Sequence, residues 1–197
     1  MEEWLVLLVL LGVAVVLPVT VYNQLVERKN RFQNAFAQIE VQLKRRHDLI
    51  PNLVEAARAY LQHENETLVA VTQARNAAVA ALAAAHNHPD AAALAALAGR
   101  EQELMSALQG LNVQLEAYPD LRAADNMRQL SEEITATENR IGFARQAYND
   151  AVADYNTTRQ RFPHVLLADF LGHREDAALL TFADSAALQS APQASFS

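Results

Sequence analysis

Between Trp4 and Val26 the chain carries no charged residue, and the stretch WLVLLVLLGVAVVLPVTV offers no polar face. A bilayer core needs about 20 apolar residues in a helix, whereas a globular helix of that length needs a polar side toward water. The pattern therefore predicts a transmembrane anchor over residues 1–26. Glu2 and Glu3 precede the run where a cleaved leader would carry basic residues, and the run exceeds the about 7–15 residues of a leader, so retention is expected. Beyond it the pattern changes to apolar residues at every seventh position, the mark of helices with one buried stripe. Phe36, Leu43, Ile50 and Ala57 form one row, with Phe32, Ile39, Leu53 and Tyr60 beside it. Leu94, Leu108 and Leu115 form another, interrupted by Glu101, next to Leu97, Leu104, Leu111 and Tyr118. The clearest row is Met127, Ile134, Ile141, Tyr148 and Tyr155, flanked by Leu130, Ala144 and Ala151.

Prolines punctuate these stretches. Pro51, Pro89, Pro119 and Pro163 would each cost about 3 kcal/mol in a helix interior and nothing in a first turn. Asp48 is suited to cap a helix with Pro51 in its first turn, and His86-Asn87-His88-Pro89-Asp90 reads as a loop. The resulting helices lie near 4–47, 49–84, 90–116 and 120–161. The seven-residue register crosses Pro51 without a phase break, so one kinked helix is the alternative there. Short connections at Pro89 and Pro119 imply antiparallel neighbours. The expected fold is all-α: an N-terminal transmembrane helix continuing into an antiparallel up-down four-helix bundle over residues 27–163. Lengths do not match, since at about 1.5 Å per residue the last helix spans about 63 Å against about 37 Å for residues 23–47. Residues 164–197 form an apolar segment, Val165 to Leu171, and a tail rich in Ala, Ser and Gln that is expected to fray beyond Asp184.

Composition narrows the functional classes. There is no cysteine, which removes disulfides, thiolate metal sites and cysteine nucleophiles. A net charge of −7 argues against nucleic-acid partners, which need a basic face. Basic residues cluster after the apolar run instead: Arg28, Lys29 and Arg31, then Lys44, Arg45 and Arg46, which predicts a cytoplasmic body and an outside N-terminus.

Candidate chemistry is sparse. No Glu has a His three residues later, and His-Glu-x-x-His is absent, so neither a di-iron bundle nor a zincin is signalled. His86 and His88 read as solvated loop histidines, and no metal or cofactor is assigned. Arg45, Arg46 and His47 with Asp48 lie some 30 Å beyond the membrane exit, past a Debye length of about 8 Å, so they suit a helix C-terminus or a partner better than headgroups. Glu138, Asn139 and Arg140, with Arg145 and Asn149, sit at helical spacing beside the Ile141 row and are expected to pair between helices. An enzyme would have to draw on Glu64, Glu101, Glu138, Arg46 and His47, and three of these converging in a cleft would favour it.

Tyr22-Asn23, RRHDLIPNL at Arg45–Leu53, EAYPDL at Glu116–Leu121 and TENRI at Thr137–Ile141 resemble the bacterial LemA family. The resemblance continues through Ala144-Arg145, Tyr148-Asn149, Tyr155-Asn156 and Phe162-Pro163, covering roughly residues 20–163. It implies a four-helix bundle behind a membrane helix, a break near Asp48 and a bacterial inner-membrane setting, and names no substrate. Met127 stands where the family favours Phe, and the segment after Gly172 departs from the usual ending. The expected role is a non-enzymatic, membrane-anchored scaffold that binds the lipid bilayer, other copies of itself and other membrane proteins. Leu167 and Phe170 are added to its candidate contacts, because an apolar patch in Val165–Leu171 needs a cover. A hydrolytic or metal-dependent enzyme and a membrane-remodelling protein are the alternatives.

Overall fold

The computed structural model describes residues 2–58, 61, 65–118 and 125–182. Among them there is no strand; the elements are α1 (Glu2–Arg58), α2 (Asn65–Asn87), α3 (Ala91–Glu116), α4 (Asp125–Gln160) and the short α5 (His164–Leu167). The chain divides into two compact units, each built from discontinuous stretches. The first takes residues 1–38 and 144–178, the second residues 39–143 and the end of the chain.

The second unit gathers one core from four helical segments. Ile50, Leu53 and Val54 of α1 join Leu68 and Val71 of α2, Leu104, Leu108 and Leu111 of α3, and Met127 and Ile134 of α4. Every described member of the predicted seven-residue rows is buried or half-buried, as a stripe facing a core requires. Tyr60, Glu64 and the Pro119–Leu121 stretch of the third motif lie outside the described residues, as does the tail expected to fray beyond Asp184.

The expected break near Asp48 does not occur. α1 runs unbroken to Arg58, so Asp48 caps nothing and Pro51 occupies a helix interior. Proline brings no N–H, which strands the carbonyl four residues earlier. That carbonyl belongs to His47, and the Arg75 side chain of α2 supplies the missing donor, its Nε reaching the oxygen at 3.0 Å. A neighbouring helix thus replaces the bond that proline deletes. The correction also removes the length mismatch, because residues 23–58 are as long as the 36-residue α4.

A second boundary moves as well. α2 extends to Asn87, which puts His86 in its last turn. α3 then starts behind Asp90, whose side chain accepts from Ala93 N–H at 2.7 Å. α2 is apolar and long enough to cross a membrane, like α1. Its apolar character has another account: Leu68, Val71, Ala78, Leu82 and Ala85 are buried along one stripe.

In the first unit, Val21 and Leu25 of α1 pack with Tyr155 of α4 and Ala168, while Leu17, Phe32, Leu167 and Leu171 border them. Phe32 meets Tyr155 edge-on at 5.2 Å between ring centroids, and Phe36 meets Tyr148 at 5.6 Å. Gly172 adopts φ +88°, a left-handed conformation open to glycine, and there the chain leaves the α5 turn for an irregular arm.

Candidate functional site

Two heptad rows of α1 carry polar residues into the second unit. Ile39, Arg46 and Leu53 form one, and Glu40, His47 and Val54 the other; all six are buried. Opposite them Glu101 takes its place in the row of Leu94, Leu108 and Leu115 on α3 and is 1% exposed. One Glu101 oxygen accepts from Arg46 and the other lies 2.8 Å from His47 Nε2. Arg46 also points at Met105 Sδ, 3.1 Å away. Arg46 and Glu101 form a buried ion pair with His47 beside it, and polar groups this deep need such partners.

Beside it a cavity of about 280 Å³ is lined by Glu40, Lys44, His47, Asp48, Arg75 and His86, with Val79, Leu82 and Ala83 as its apolar wall. His86 Nδ1 stands 2.7 Å from the buried Glu40 carboxylate. His86 is therefore helical and not in a loop, and it is solvent-exposed while it meets Glu40 of α1; His88 is exposed in the connection. Among the described residues no group of three or more His, Asp or Glu is arranged to hold a metal.

The basic run is thus not a helix C-terminus. It lies mid-helix and splits by phase: Arg46 and His47 face inward, Lys44 and Asp48 line the cavity, and Arg45 is exposed, 3.8 Å from Glu133. Glu138 and Arg140 are exposed on α4. Of the five residues an enzyme would draw on, Arg46, His47 and Glu101 converge, but they do so inside the core and not in a cleft, only His47 of the three lining the cavity; Glu138 does not join them, and Glu64 lies outside the described residues. The signal for this cluster was present in the sequence. Arg46 and Glu101, opposite in charge, each interrupt an otherwise apolar row.

In the first unit the polar residues of α4 hold the arm. Asn156 grips Ala177 twice, Nδ2 donating to its carbonyl at 3.0 Å and Oδ1 accepting from its N–H at 2.8 Å. Arg159 donates to the carbonyls of His173, at 2.7 Å, and Arg174, and reaches Asp169 and Asp176. Tyr148 Oη donates to Ala178 O at 2.8 Å, and Tyr155 Oη lies 3.0 Å from His173 Nδ1. Burial pushes the Tyr148 phenol up to about 12. His173 is pulled below its usual value by burial first and then by Lys29 and Arg159. Arg145 and Asn149 are half-buried in this unit, Leu167 borders its core and Phe170 is 89% exposed.

These features define a class, an all-helical protein whose apolar N-terminal helix continues into a core with a buried ion pair. The LemA family model matches residues 35–196, and the chain belongs to the LemA family. The match starts later than the quoted motifs and extends through the arm and tail. Protein LemA of Metamycoplasma hominis is 28% identical over 135 residues, 68% of this chain. The chain spans 58% of that relative's length.

Proposed function

We propose that this protein is a non-enzymatic scaffold of the bacterial inner membrane, held by α1 with its N-terminus outside and its helical body in the cytoplasm. The observation that carries this reading is the exposure along α1. Large apolar side chains from Trp4 to Val16, and Val19 beyond them, stand more than half exposed, and burial begins only at Leu17 and Val21. A face of that size in a folded protein calls for a lipid cover. The cations Arg28, Lys29 and Arg31 just beyond it support a cytoplasmic body. The four helical segments of the second unit would form an up-down bundle with an outer surface free to meet other copies or other membrane proteins. Both Glu101 oxygens have partners inside the protein, which suits a structural role better than proton transfer to a substrate.

A second reading has its own observation, the cavity adjoining His47, whose polar lining and apolar wall suit a small amphipathic ligand. Crosslinking of the full-length chain in native membranes, followed by mass determination in mild detergent, tests the scaffold. Assemblies or linked membrane proteins are expected; a monomer that links to nothing overturns it. Loss of a cellular phenotype in Val79→Trp, which fills the cavity, with crosslinking unchanged, would instead favour the ligand-binding reading.

A further inference from the structure

The α5 turn carries an apolar surface that stands exposed among the described residues. Phe162 is 79% exposed, Val165 51%, Leu166 61% and Phe170 89%, four large apolar side chains within nine residues. Their other neighbours fix where this surface lies. Leu167, Ala168 and Leu171 pack against Leu17, Val21 and Leu25 of α1, and His164 Nε2 meets Gln24 Oε1 at 2.9 Å. If the span begins at Trp4, 20 residues rising about 1.5 Å each fill a hydrocarbon core of about 30 Å by Asn23. The turn is therefore docked on the last two turns of the span, and whatever docks there lies at the depth of the acyl and headgroup boundary. The exposed Arg161 borders the turn; Arg28, which also acts electrostatically on His164, is ion-paired with Asp154, and Asp169 within the segment pairs with Arg159. Bulky apolar side chains next to cations, alongside a membrane helix, are the chemistry of an interfacial anchor.

We infer that residues 162–171 form a second membrane contact, in which Phe162, Leu166 and Phe170 enter the boundary of the bilayer that holds α1. This rests on the anchored reading above. Its consequence is a two-point attachment. A lone helix is free to rotate and tilt, whereas a helix with a lateral apolar foot presents one fixed face to the membrane.

The absence of cysteine makes the test direct. Single variants Leu166→Cys, Phe170→Cys, Thr157→Cys and Val9→Cys of the full chain would be labelled with an environment-sensitive fluorophore and reconstituted in vesicles of phosphatidylcholine and phosphatidylglycerol. Quenching by lipid-attached quenchers and by aqueous iodide is then compared. Labels at 166 and 170 should show a blue-shifted emission, strong lipid quenching and several-fold weaker iodide quenching than the label at 157. If they behave like 157 while the label at 9 is quenched by lipid, the second contact is overturned and the anchor stands. Labels at 166 and 170 shielded from both quenchers would assign the surface to a protein cover such as a second copy, and also overturn it. Failure of lipid quenching at 9 would remove the anchor and this inference with it.

Discussion

In the second unit buried polar groups pair with one another across helices, Glu101 taking Arg46 and His47. In the first, polar side chains of α4 reach main-chain groups of an irregular arm, Asn156 taking both the N–H and the carbonyl of Ala177. The difference decides what each set of contacts can withstand. A charge sealed among leucines has no water to fall back on, so loss of its partner costs its full desolvation. An arm that is half open to solvent exchanges its lost bonds for water, and the damage stays local.

The largest effect should come from Glu101→Leu, which leaves Arg46 charged and unpaired. Thermal unfolding of the full chain in mild detergent should show a loss of about 3–5 kcal/mol. Arg46→Met combined with Glu101→Leu should recover most of it, since an apolar pair of similar volume avoids the desolvation cost. A single variant as stable as the parent would break the contrast between the units.

Next comes the proline bridge. Arg75→Met removes the donor to the His47 carbonyl and should cost about 1–3 kcal/mol. In a Pro51→Ala background residue 51 regains its N–H and the helix closes its own bond, so the same change should cost markedly less. Equal losses in both backgrounds would show that Arg75 acts through something other than that carbonyl.

Asn156→Ala should cost about 1–2 kcal/mol and act mostly on the arm. Trypsin cleavage after the exposed Arg174 reports this, and it should quicken several-fold while the helical signal is kept. Cleavage at the parental rate would mean that the arm is held without Asn156.

The smallest effect is a pH dependence at His173. Its folded pKa is depressed by burial and by Lys29 and Arg159, so the folded state binds its proton less readily than the unfolded chain. The stability it contributes is present above the unfolded value near 6.5 and is lost as pH falls through the folded value. His173→Gln should flatten the melting temperature between about pH 7 and pH 5 relative to the parent. An unchanged profile would assign that slope to other groups.

The helical class, the apolar N-terminal helix and the phase of every stripe were legible in the residues, because burial imposes a fixed period on a helix and lipid demands a fixed length. Part of the site was legible too. Arg46 and His47 stood out as a motif and Glu101 as an interruption in a leucine row, and only their pairing was hidden. The placement of Glu40 against His86, and of Asn156 and Arg159 under the arm, joins residues distant in sequence, which periodicity does not relate.

Around Pro51 the sequence by itself determined that one helical bond had to be missing, since a ring nitrogen carries no hydrogen. Whether the helix broke there was decided in three dimensions. Arg75, 28 residues from His47, brings a guanidinium to the orphaned carbonyl, and α1 runs on to Arg58. Local chemistry determines which groups need partners, and packing decides which partner arrives.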